Sequence, residues 1–170
     1  MTEPPAEPSG PSTDPSTDPM ARVVADADVL AADLLCGGPA RAALDLVRAH
    51  DWVTLVASEP LLADAEAVVA DLADGDLAAD WRAAATDLAT LVDHPAGDHP
   101  ALACAYRGEA RHVLSLDDAL LGARAAVNVR ARVETSVKRP DAFVRLFDPA
   151  SMYEVVVGGD YPGPDRDPRG

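Results

Sequence analysis

From residue 22 onward, short apolar runs rich in β-branched residues alternate with longer segments of helical period. Residues 22–25 (RVVA) read as a first strand, 52–56 (WVTLV) as a second, 88–92 as a third, 112–114 as a fourth and 129–133 as a fifth. Between them the pattern predicts helices over 31–35, 39–49, 59–73, 76–85, 100–106 and 118–125. A last helix, 140–147, has proline at its first position. The punctuation agrees. Gly37-Gly38 separates the first two helices, Ser58 is a good N-cap, Asp74-Gly75 ends the helix that Ser58 begins, and Asp98 opens the helix at Pro100.

Strands separated by helices pair in parallel through right-handed crossovers. The expectation is an α/β protein, a three-layer α/β/α sandwich with a central parallel sheet of about five strands, over residues 21–148. Residues 1–20 (MTEPPAEPSGPSTDPSTDPM) hold too little apolar surface to offset their ordering entropy, and read as a disordered acidic, Pro-rich tail with STDPSTDP as low complexity. Residues 149–170 read as a C-terminal extension, partly disordered. Its apolar patch, Met152, Tyr153 and 155–157, packs as an extra strand or joins a partner.

Composition changes the picture in two ways. The chain is 48% apolar but only 4% aromatic, so the core is expected from Val, Leu and Ala. The formal net charge is −15, and Lys138 is the single lysine. Dense carboxylates with almost no lysine suit a salt-rich cytoplasm, where they keep the surface hydrated; a generic acidic protein is the alternative. No apolar run approaches the ~20 residues that span a membrane. Cys36 and Cys104 show no zinc spacing and read as buried thiols rather than a disulfide.

The positions of certain acids suggest chemistry. Asp26 and Asp28 follow the first predicted strand, Asp117 follows the fourth, Asp98 precedes the fourth by one helix, and Asp64 lies inside the helix after the second. Ligands in parallel sheets sit beyond the carboxyl ends of the strands. If these carboxylates converge there, their repulsion calls for a cation, and an all-oxygen set suits Mg²⁺ or Mn²⁺. The same acids also read as ordinary helix caps and solvated faces in a chain with 29 of them.

Several segments, in order, resemble the PIN domains, a family of metal-dependent nucleases. VVADADVLAADLL resembles the family's opening strand and helix, and LVASEPLLADAEAVV its second motif, with an acid six residues after a serine. DHPALACAYRGEARHVLSLDDALL resembles its third and fourth motifs, and RPDAFVRLF its closing helix. The resemblance covers roughly residues 22–148 and implies a metal-dependent endoribonuclease that cleaves RNA by a metal-activated water. It implies Asp26, Asp64, Asp98 and Asp117 as catalytic, metal-binding acids, with Asp28 and Ser115 supporting them. Asp64 stands where the family usually carries glutamate. Asp118 reads as a helix-start acid.

An RNA substrate needs positive charge. Between Arg107 and Arg145 eight basic residues face five acidic ones, and Arg111, Arg130 and Arg132 are the candidate substrate contacts; surface pairing with acids is the other reading. His50, His94, His99 and His112 share no metal spacing. Trp52 and Trp81 read as core or packing residues. Two other functions remain open. VVADADVL also fits a haloacid-dehalogenase-like phosphatase, with Asp26 as nucleophile and Asp28 as acid/base, although the expected lysine is absent between its later motifs. A non-catalytic binding module of the same fold is the third. The expected partners are an RNA substrate, a possible homodimer mate and a possible antitoxin, in the cytoplasm and away from any membrane.

Overall fold

The computed structural model describes residues 14–122 and 134–170. Strand β1 (Arg22–Ala25) buries Val23, Val24 and Ala25, a continuous apolar run that marks a strand covered on both faces. It stops at Asp26, whose Oδ1 accepts a hydrogen bond from the Ala27 amide at 2.9 Å and begins α1 (Ala27–Leu35). Gly37 and Gly38, at φ +70° and +59°, make the turn into α2 (Gly38–Arg48). β2 (Thr54–Ala57) leads to Ser58, whose Oγ accepts from the Leu61 amide at 3.3 Å and caps α3 (Glu59–Leu72). Asp74 caps α4 (Gly75–Leu88) through the Asp76 and Leu77 amides. Then come β3 (Thr90–Leu91), α5 (Pro100–Arg107), β4 (His112–Leu114) and α6 (Asp118–Gly122). From residue 134 onward lie β5 (Ser136–Lys138), α7 (Pro140–Leu146) and α8 (Pro149–Val156).

The five strands form one all-parallel sheet in the order β3-β2-β1-β4-β5, with Ala25 opposite Leu114 and Leu114 opposite Lys138. Among the described residues eight helices flank it, giving the expected α/β sandwich. Right-handed crossovers place α1 to α4 on one face and α5 with α6 on the other. α1 packs on α2 and α3, α5 lies against β1, β2 and β4, and α7 packs on α2. Valine, leucine and alanine fill the core as expected, with Leu44, Leu61, Leu62, Val113 and Leu114 fully buried. Each such Val or Leu contributes about 1.5–3 kcal/mol by leaving water. The turn from α5 to β4 needs Gly108, because a Cβ there would stand 2.5 Å from Val56 Cγ1. No helix among the described residues is long and apolar enough to cross a membrane.

Several expectations need correction. Residues 14–20 are not a disordered tail: Asp14 and Asp18 each accept a hydrogen bond from the amide two residues on and cap a 3-10 turn, Pro15–Thr17 and Pro19–Ala21. The Asp-Pro pair at residues 14–15 and again at 18–19 is therefore a repeated structural unit. It closes the amino-terminal edge of the sheet, where Ser16 O accepts from Thr54 Oγ1 and Pro19 O from the Arg111 amide, both at 3.1 Å. The fifth strand expected over 129–133 lies outside the described residues; among those described, β5 has a single valine between polar neighbours, as befits an edge strand. Asp98 does not cap α5, whose N-cap is His99. The extension, 149–170, is folded onto the body: α8 brings Tyr153 to 5.7 Å from Trp52, Tyr161 Oη lies 2.6 Å from His50 Nε2, and the Asp165 amide donates to Ala49 O at 2.8 Å. Cys104 is a buried thiol as expected, whereas Cys36 is exposed, and neither forms a disulfide.

Candidate active site

The strand order reverses between β1 and β4, so the carboxyl ends of those two strands flank the crevice in which parallel sheets bind ligands. Asp26 leaves β1 at that point and Ser115 leaves β4. Ser115 is fully buried and Asp26 is only 8% exposed. Ser115 Oγ donates to Asp26 Oδ2 at 3.0 Å and accepts from the Asp117 amide at 3.0 Å. The Asp26 amide donates in turn to Leu114 O at 2.8 Å. One hydroxyl thus joins the acid that ends β1 to the backbone of the acid that follows β4.

Asp28, in the first turn of α1, accepts from Val29 and from the Leu116 amide at 3.0 Å, which ties α1 to the loop after β4. Burial pushes its carboxyl above the usual carboxylate range. The negative charge of Asp26 adds to this, and that of Asp117 does so more weakly; the two amide bonds oppose the rise. Asp117 accepts from Ala119 at 2.8 Å and begins α6. The structure therefore brings together Asp26, Asp28, Ser115 and Asp117.

It does not add the other two predicted acids. Asp64 is exposed in the second turn of α3, and Asp98 is exposed in the loop before α5. Neither is hydrogen-bonded to this group among the described residues. Among the described residues, no three His, Cys, Asp or Glu side chains are arranged to hold a metal ion between them. The expected four-carboxylate cage is thus not formed among the described residues. The physical reason is placement along the helices: α3 needs a full turn after Ser58 before it reaches Asp64, and α5 begins only after Asp98.

The expected cations also move. Arg111 precedes β4, so it lies at the opposite end of the strand from Asp117, where it pairs with Glu134 at 3.3 Å. Arg130 and Arg132 lie outside the described residues. The basic residue at the site's own edge is Arg139, directly after β5, with Nη1 3.7 Å from Asp118 Oδ1 and Nε 3.6 Å from Asp141 Oδ1. A further pair was missed by sequence reasoning. His94, in the loop beyond β3, places Nε2 3.0 Å from Ser58 Oγ, while its Nδ1 faces Pro95 O at 3.0 Å. Donation from Nδ1 to that carbonyl leaves Nε2 to accept the Ser58 proton. Ser58 is fully buried, so the pair positions the loop rather than offering a nucleophile. Its one sequence signal is that both residues follow strands.

A family model matches residues 17–169. The chain belongs to DUF7384, a family of unknown function. DUF7384 membership corrects the expected assignment to the PIN domains, for which no model matches. The segments that carried that resemblance are strand-ending acids, a serine N-cap and a small-residue helix, all of which any parallel α/β sheet can contain. The DUF7384 match also runs through the C-terminal extension, in keeping with its packing on the body. Neither a curated protein nor a solved structure matches the chain.

Proposed function

We propose that this protein is a metal-dependent hydrolase of phosphodiester bonds, with RNA as substrate and Mg²⁺ or Mn²⁺ as cofactor. One observation carries the reading: Ser115 Oγ links the Asp26 carboxylate to the Asp117 backbone where the strand order reverses. A salt-rich cytoplasm is part of the proposal, supported by the net charge of −15.

The donor chemistry fits the cofactor. Every candidate ligand is a carboxylate oxygen, the hard donor these ions prefer. Mg²⁺ usually takes one or two carboxylates and completes its shell with waters and substrate phosphate oxygens, so a three-acid cage is not required. Asp26 and Asp117 are the two residues that would hold it. When bound, the ion would lower the pKa of a water and neutralise charge on the phosphoryl group.

The chain's own residues have separate tasks. Ser115 fixes the orientation of Asp26 through the proton it donates. Asp28, with its raised carboxyl, is the acid best suited to pass a proton to or from the reacting oxygens. Arg139 offers positive charge at the same edge for a substrate phosphate.

The test is cleavage of single-stranded RNA with Mn²⁺ in concentrated KCl. Asp26→Asn and Asp117→Asn are expected to lose cleavage about a hundredfold or more, while Asp64→Asn keeps most of it. Undiminished cleavage by Asp117→Asn would reject the assignment.

A further inference from the structure

Beside the amino-terminal ends of β4 and β5 lies a cavity of about 410 Å³, which Lys138 joins from the last position of β5. Met20, Arg111, His112, Glu134, Thr135, Ser136 and Lys138 line it. The volume is in the range of small-molecule sites. Its charge is unusual for this chain: the single lysine and an arginine face one cavity in a protein of net charge −15.

We propose that this cavity binds a small phosphate-bearing ligand, such as a nucleoside monophosphate, with the phosphate held between the Arg111 guanidinium and the Lys138 ammonium. The Arg111 fork offers paired N–H donors and Lys138 a compact point charge, the two donor types that recognise phosphate. Lys138 Nζ already donates to Ser136 Oγ, which aims the hydroxyl and the ammonium at the same region. The acidic group in the lining is Glu134, paired to Arg111 at 3.3 Å with its side chain 86% exposed. So exposed a pair is held weakly, and a phosphate can take the carboxylate's place at the guanidinium.

The wall of the cavity reports the same field. His112 Nε2 lies 3.1 Å from Met20 O, and its ring packs edge-on against Phe143 at 5.7 Å. Burial pushes the imidazole down to about 4, helped by the positive charges of Lys138 and, more weakly, Arg111. Both cations therefore act on one ring, so their fields overlap in the cavity. Met20 supplies an apolar side for the body of the ligand. The proposal does not depend on the hydrolase reading.

The test is calorimetric titration of the full chain with adenosine monophosphate, inorganic phosphate and acetate, in EDTA and constant KCl. Saturable binding of the monophosphate and of phosphate is expected, with acetate weaker. Arg111→Gln and Lys138→Gln should each weaken binding about tenfold to a hundredfold, the loss of one charge-assisted contact. Asp117→Asn should leave it unchanged. No saturation at millimolar ligand, equal binding of acetate, or full binding by the double variant would overturn the proposal. A second readout needs no variant: phosphate near the ring favours its protonated form, so the His112 pKa followed by NMR should rise on saturation. A ring that titrates as in the free protein contradicts the site.

Discussion

Ser115 Oγ donates to Asp26 Oδ2 at 3.0 Å across 89 residues of chain, joining the carboxyl ends of β1 and β4. The same oxygen accepts the Asp117 amide proton. Ser115→Ala would leave a nearly buried carboxylate and an amide each short of a partner, at a cost of about 1–3 kcal/mol. Ser115→Thr keeps the hydroxyl and should recover most of that. Urea denaturation of the three proteins measures it; an alanine variant as stable as the parent would mean that the hydroxyl holds nothing.

Asp33 is a buried acid of a different kind. It is 5% exposed on α1 and forms a two-pronged ion pair with Arg48 of α2, with Nη1 3.2 Å from Oδ1 and Nη2 on Oδ2. Arg41 Nη2 also donates to the Asp33 carbonyl at 2.6 Å. Removing one member of such a pair strands the other. Asp33→Ala should therefore destabilise by about 3 kcal/mol, the lower end of the usual range because Arg48 keeps Asp45 at 3.3 Å. Chemical denaturation decides; a change within about 0.5 kcal/mol, as at an ordinary surface site, would refute it.

His112 makes stability depend on pH. Its folded value of about 4 lies below the ordinary 6.5, so the unfolded chain takes up the proton first. The contribution of the neutral buried ring is complete above the unfolded value and is lost as the pH falls through the interval to the folded one. The whole loss is roughly 3 kcal/mol. Asp28, with its raised carboxyl, titrates in the opposite sense in the acidic part of that window. Comparing the parent with His112→Gln isolates the ring: the stability difference between them should shrink by about 3 kcal/mol on going from neutral pH to the folded value. A pH-independent difference would contradict this.

Much of the fold is legible in the sequence because its cues are local. The run RVVA ended by Asp26, the Ser58 cap and the Pro140 start each fix an element within a few residues. Once the strand order is known, handedness sets the face that each crossover helix covers. Other features depend on distant partners. The turns at Pro15–Thr17 and Pro19–Ala21 carry capping aspartates, but only the sheet edge they cover makes them worth ordering. Tyr161 has no local cue at all; its partner is His50, 111 residues away. β5 has one valine to announce it.

The site divides in the same way. Asp26, Asp28, Ser115 and Asp117 lie within three residues of a strand end, so their meeting follows from parallel pairing of β1 with β4. Asp64 and Asp98 sit on or beside helices, where side-chain direction turns by about 100° per residue and cannot be fixed without the packing. The place of Arg111 follows from the predicted strand itself: a residue before His112–Leu114 belongs to the far edge from one after it.

The central claim is that Asp26 and Asp117 together seat a hard divalent ion. Mn²⁺ binding followed by electron paramagnetic resonance in concentrated KCl tests it most directly, without an RNA substrate. The parent should bind Mn²⁺, and Asp26→Asn and Asp117→Asn should each weaken binding about tenfold or more, with Asp64→Asn close to the parent. Equal Mn²⁺ binding by all four proteins, or none by the parent, would contradict the claim.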